Sequence, residues 1–150
     1  MPYRLVATLL AESVSLDRFT SRLTAFTMLE AVLAPSFPAV LGKLAVVSVY
    51  EIDGERGKRF ERVTIRDAGG AALAESVVEL EGDGSAHRSM HLFQGVKLER
   101  PGTYLVTVEG ASARGGPWET AGRRRLTAME QPHPLTAGPA EIRGPAQLTE

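Results

Sequence analysis

From Tyr3 onward the chain alternates apolar and polar positions with a period of two, interrupted at intervals by turn residues. That is the signature of half-buried β-strands rather than of amphipathic helices. Tyr3 to Leu16 and Arg22 to Leu33 are the first two runs, joined by the turn DRFTSR. Lys43 to Ile52 is the most apolar, with Leu44, Val46, Ser48, Tyr50 and Ile52 on one face and Ala45, Val47 and Val49 on the other. A strand apolar on both faces belongs in the middle of a sheet or beneath other elements. Lys58 to Arg66, Ala72 to Leu80 and His87 to Leu98 follow, separated by the turns DAGG and EGDGS. Phe60 is out of phase with Val63 and Ile65, which predicts a bulge or an earlier strand end. Gly95 marks a second bulge or a close backbone approach. RPGTYLVTVEG turns at Pro101-Gly102 and then alternates cleanly, and Trp118 to Ala128 is the last strand.

Seven or eight short strands with turns between them predict an all-β fold: an antiparallel two-sheet β-sandwich of immunoglobulin-like, Greek-key type. Only Phe37 to Gly42 has room for a single helical turn. Pro35 and Pro38 hold their predecessors extended and lack amide donors, so they end the second run and aim the chain across the sandwich. Phe37 and Pro38 are read as a structural fastener, with the Phe37 ring plugging one end of the core. Tyr104 is read as structural too, its ring inward and its hydroxyl on a nearby carbonyl. From Gln131 the alternation stops, and the remaining stretch carries four prolines. Such a segment cannot bury enough apolar surface to offset its ordering entropy. The expected organisation is a domain over residues 1–130 and a flexible or partner-docked tail over 131–150.

Three stretches carry a resemblance. LLAESVSLD, Leu9 to Asp17, SFPAVLGKLAVVSVYE and RPGTYLVTVEG follow the pattern of an uncharacterised bacterial family of small all-β proteins, a domain of unknown function. The similarity spans roughly residues 3 to 128, and the turn DRFTSR departs from it by being longer. The resemblance implies a β-sandwich and a bacterial source, and it carries no catalytic residues.

Composition narrows the function classes. A chain of 150 residues buries roughly 68–70% of its unfolded surface, enough for a full core. The formal net charge of −1 gives no bulk attraction to nucleic acid or to an anionic membrane. With no cysteine, disulfides and thiolate metal sites are excluded, in keeping with a reducing compartment. The apolar run Leu5 to Ala11 has a single basic flank and continues past Glu12 as a strand would, so no signal peptide is read there. A cytoplasmic location is expected.

Candidate chemistry is sparse. His87 and His91 share a strand face, but four strand residues span roughly 13 Å, too far to grip one ion at ligand distances of about 2 Å. They are read as surface or rim histidines, and no metal or cofactor is assigned. GERGKR, Gly54 to Arg59, lacks the spacing, the hydroxyl and the helix of a phosphate loop. Ser85 has no nucleophile elbow around it. Asp53, Glu55, Asp67, Glu81 and Asp83 fall mainly at turns, where carboxylates are solvated or bond turn amides. Arg123 and Arg125 share one face and Arg124 takes the other. They guard an exposed edge or contact a partner. Trp118 is a core plug or an interface anchor.

The expected function is therefore a non-enzymatic protein-interaction or structural module that binds a protein partner or itself. Trp118, Arg123 and Arg125 are its candidate contacts, together with Leu135, Ile142 and Leu148 of the tail docking in extended form. The alternatives are a small-ligand or carbohydrate-binding sandwich and, after it, an enzyme with a dispersed site.

Overall fold

The structure is a computed structural model that describes residues 3–52, 56–83 and 87–131. It holds nine strands: β1 (Tyr3–Leu16), β2 (Leu23–Met28), β3 (Ala31–Ala34), β4 (Ala39–Ile52), β5 (Arg56–Arg66), β6 (Ala72–Asp83), β7 (His87–Leu98), β8 (Gly102–Ala111) and β9 (Glu119–Glu130). Among the described residues there is no helix. They form a four-stranded sheet, in the order β2-β1-β4-β7, and a five-stranded sheet, in the order β3-β9-β8-β5-β6. Leu10, Leu44, Val46 and Phe93 from the first sheet meet Val63, Ile65, Val106, Val108 and Leu126 from the second in one buried cluster. Each such aliphatic side chain contributes about 1.5–3 kcal/mol by leaving water.

Three expectations are corrected. The run Arg22 to Leu33 is not one strand: it divides at Leu29 and Glu30 into β2 and β3, which lie in different sheets. Because β3 runs parallel to β9, the architecture is not purely antiparallel. Phe37 to Gly42 forms no helical turn, since β4 is already extended from Ala39.

Nor is there a bulge at Phe60, which pairs regularly with Glu79 and Ala111. The irregularity in β5 comes later, between Ile65 and Arg66. At Gly95 the register across β4 and β7 is the same on both sides, Leu41 opposite Val96 and Lys43 opposite Gln94. The buried positions nevertheless switch phase there, from Ser89, His91 and Phe93 to Val96 and Leu98. In β4 the inward set switches likewise, from Leu41 to Leu44 and Val46. Gly42 and Gly95 thus face each other at a kink shared by both strands. Gly95 has φ +68°, a conformation that costs glycine little and other residues more.

At the turn before β8 the Tyr104 hydroxyl donates to the Arg100 carbonyl at 2.6 Å and accepts from the Arg100 amide at 3.3 Å. This is the geometry of a tyrosine corner. Tyr104→Phe keeps the buried ring and removes both bonds, so a loss of about 1–2 kcal/mol is expected in urea unfolding. A change near zero would mean that water replaces the hydroxyl.

Candidate functional site

The carboxyl group of Glu61 lies between the sheets. It is in phase with Val63 and Ile65, so the strand that buries those side chains buries Glu61 as well, with none of its surface exposed. Burial pushes a carboxyl group towards its neutral form. Here donors from the facing sheet outweigh that effect. His91 Nε2 lies 2.7 Å from Glu61 Oε1, Ser89 Oγ donates to the same oxygen at 2.5 Å, and the Tyr50 hydroxyl donates to Oε2. The net result holds Glu61 below the ordinary carboxylate value. Burial and the adjacent Glu61 charge push the Tyr50 phenol far upward, so it remains a donor. The carboxylate accepts at Oε1, so Nε2 of His91 carries a proton. Nδ1 of that ring has no partner among the described residues.

His91 is therefore not a surface histidine, as expected from the sequence, but a fully buried one. His87, on the same face, is half-buried opposite Tyr50. The Tyr3 ring meets Tyr50 edge-on at 6.3 Å and, with Leu80, closes that end of the cluster. The cleft left beside Tyr3, Tyr50 and Arg59 encloses about 20 Å³, room for roughly one water. The geometry suits a polar clasp between two sheets, since Glu61 of one sheet is held by Tyr50, Ser89 and His91 of the other. Among the described residues no group of His, Asp and Glu is arranged to hold a metal ion.

A wider cleft of about 250 Å³ lies at the loop end, lined by Asp67, Leu73, Glu99, Arg100, Pro101 and Tyr104 among others. Small-molecule pockets usually enclose about 300–1,000 Å³. Asp67 spends its carboxylate on the Ala71 amide, and Glu99 pairs with Lys97.

Trp118 is half-buried, with the Arg62 guanidinium 4.6 Å above its ring and Arg62 in turn paired to Glu109 at 2.7 Å. Arg123 and Arg125, opposite Thr107 and Leu105, are exposed on the solvent face of the five-stranded sheet. No ion pair or ring contact joins either to Trp118 among the described residues. β3 flanks β9 from Thr127 to Glu130, so among the described residues the arginine run has no paired strand on that side of β9. Leu135, Ile142 and Leu148 lie outside the described residues, as do Asp53, Glu55 and Ser85.

The surface that sequence reasoning missed is the β1–β2 hairpin. Beyond Ala11, β1 pairs only with β2. The hairpin reaches the solvent side of β7, where the Arg88 guanidinium donates to the Ser21 carbonyl. There Leu16 and Leu23 share with Met90 the lining of a cavity of about 270 Å³. Phe26 and Met28 are about half exposed, at 50% and 48%, and Phe19 at the turn is wholly exposed. Thr27, between Phe26 and Met28, has φ +54°, a conformation that costs a β-branched residue about 1–3 kcal/mol and is concentrated at functional segments. The apolar residues were visible in the sequence, but alternation placed Phe26 and Met28 in a strand with no indication of which face would be covered.

Residues 6–111 match the model of a family described as a family of unknown function, DUF6941. No curated protein matches the chain. Among solved structures, the crystal structure of the C-terminal domain of Wzt aligns with a TM-score of 0.56 at 9% identity, covering 87% of this chain and 75% of that one. At that identity the likeness is one of fold. A Bifidobacterium dentium β-glucuronidase, solved with coumarin-3-O-glucuronide, aligns with a TM-score of 0.42 at 16% identity, covering 83% of this chain and 17% of that one. That second likeness is too loose to bear on the fold.

Proposed function

The chain belongs to the DUF6941 family, and from that premise we propose that it is a non-enzymatic protein-interaction module that docks through its β1–β2 hairpin. The observation that carries this reading is the exposure of four large apolar side chains, Leu16, Phe19, Phe26 and Met28, on one hairpin. Surface hydrophobes are common singly, whereas several on one projecting hairpin, Phe and Met among them, are residue types enriched at contact surfaces. The groups capable of acid–base chemistry support the same reading. Buried Glu61 bonds both His91 and Tyr50, and Asp67 and Glu99 at the loop-end cleft are engaged by the Ala71 amide and Lys97, whereas an enzyme needs such groups free at a cleft. The finer architecture consistent with two sheets around one core is an immunoglobulin-like, Greek-key sandwich. A small ligand or carbohydrate held by the loops is the weaker reading. Its cleft is below the usual size, and Trp118 is already stacked with Arg62.

Photo-crosslinking tests the reading. With p-benzoylphenylalanine at position 26 or 28, irradiation of cells that naturally make the chain is expected to yield a discrete protein adduct. The double variant Phe26→Asp/Met28→Asp should lower co-purification of that protein at least about tenfold, the equivalent of 1.4 kcal/mol. Leu33→Asp, on β3, should leave it unchanged. Absence of any adduct from the hairpin, whether at position 19, 26 or 28, would sink the proposal.

A further inference from the structure

The turn of the hairpin has a chemistry of its own. Phe19 projects from it with its whole surface exposed, and the backbone beneath is held by a dense set of bonds. Asp17 Oδ1 accepts from the Phe19 amide at 2.8 Å and from the Thr20 amide at 3.2 Å. The Ser21 amide bonds the Asp17 carbonyl, and the Asp17 amide bonds the Arg22 carbonyl, each at 2.9 Å. Those amide bonds hold the Asp17 carboxyl below its ordinary value. Asp17 is the one acidic residue from Leu16 to Leu23, and its carboxylate is turned onto the turn's own backbone. Arg18 and Arg22 are exposed on either side of Phe19, and Arg88 arrives from β7 to bond Ser21. A guanidinium has five N–H donors, so Arg88 keeps others free for a partner. The chain's overall charge of −1 conceals a local surplus of positive charge around one exposed aromatic tip.

We propose that this tip is the anchor of the interaction: Phe19 enters an apolar pocket on a protein partner, and carboxylates on the rim of that pocket pair with Arg18, Arg22 and Arg88. The inference rests on the reading of the hairpin as the docking element and names the partner's chemistry. Aromatic residues, Phe among them, and arginine are both enriched at protein interfaces relative to the rest of the surface. A turn already fixed by hydrogen bonds loses little freedom on docking. Complementary charge around the anchor speeds encounter and sets orientation. A membrane fits less well. One ring and three cations fall short of even a single acyl chain, which itself anchors only marginally.

The test uses the full chain with p-benzoylphenylalanine in place of Phe19, in cells that naturally make it. The expected crosslink maps by mass spectrometry to an apolar protein segment bordered by Asp or Glu. Its yield should fall at least about tenfold in the Arg18→Glu/Arg22→Glu background and fall with added salt. Both arginines are exposed, so the variant should melt with the parent chain. Arg18→Lys/Arg22→Lys keeps the charge but not the bidentate geometry, and should lose only part of the yield. An adduct with lipid, or binding to phosphatidylglycerol vesicles that depends on Phe19, would overturn the proposal. So would a crosslinked segment without carboxylates, or a yield indifferent to charge reversal. An adduct from position 26 with none from position 19 overturns the anchor and leaves the hairpin reading standing. No adduct from position 19, 26 or 28 overturns both.

Discussion

Glu61→Ala is expected to lower the unfolding free energy by about 3–5 kcal/mol in urea titrations, the range for breaking a buried charged network by removing one partner. The cost arises less from the lost carboxylate than from what remains. The Tyr50 hydroxyl, the Ser89 hydroxyl and His91 Nε2 all aim at Glu61, and each would be left as a buried donor without an acceptor. Glu61→Gln preserves the shape but sets an amide N–H against one of those donors, so about 2 kcal/mol is expected. Replacing the whole set by apolar residues of similar volume, Glu61→Met with Tyr50→Phe, Ser89→Ala and His91→Leu, should return to within about 2 kcal/mol of the parent, because no orphaned group survives. A loss below about 1 kcal/mol for Glu61→Ala would mean that water satisfies the donors. The buried-clasp description would then fail.

Acid dependence follows from the same carboxylate. Its folded pKa lies below the ordinary value of 4.5, so the unfolded chain binds the proton more readily. The stability it supplies is fully present above about pH 4.5 and is lost as pH falls through the lower folded value. Acid titration of the parent chain and of Glu61→Gln should therefore converge in stability at low pH. Curves that stay parallel would show that Glu61 is not ionised in the fold.

How much of this the sequence discloses depends on whether the information is local. The bounds of β1 and β7 match the runs Tyr3 to Leu16 and His87 to Leu98 residue for residue, because turn residues bracket both runs and period two persists within each for several residues at a time, even though the buried phase shifts after Leu5 in β1 and at Gly95 in β7. The division between β2 and β3 leaves no such trace: no glycine or proline stands between Leu23 and Ala34, yet the chain there changes sheets. The kink at Gly42 and Gly95 hid the start of β4, because inward positions shift phase there and break the alternation. Glu61 was legible as an odd member of the Val63–Ile65 phase, and Ser89 and His91 as members of the Phe93 phase. Their meeting was not legible. It joins strands of facing sheets, 28 and 30 residues apart in the chain, and periodicity holds no information about which phases face each other. The hairpin shows the same limit from the other side. Its apolar residues are plain in the sequence, but which of them lie against β7 and which meet solvent follows from the path of β1 after it leaves β4.

Phe37→Ala should cost about 2–3 kcal/mol, below the 3–5 typical of a fully buried aromatic because Phe37 is only half-buried. The ring packs against the common core from the segment that carries the chain between the sheets. β3 ends at Ala34, held to the end of β9 by the Gln131 amide on the Ala34 carbonyl at 2.8 Å. Five residues later Ala39 opens β4 in the other sheet, opposite Leu98. Pro35 and Pro38 have no amide hydrogens, so this crossing makes few backbone bonds and relies on the side chain between them. Removing the ring takes away the apolar contact that joins the end of one sheet to the start of the next. A lower urea midpoint with an unchanged m-value is the expected signature, since the folded surface hardly alters. Phe37→Leu should recover at least half of the loss, because a Leu side chain still covers the core. If Phe37→Ala left the midpoint unmoved, the ring would be contributing no burial, and the Ser36-Phe37-Pro38 turn would have to be counted with Phe19 and Phe26 as contact surface.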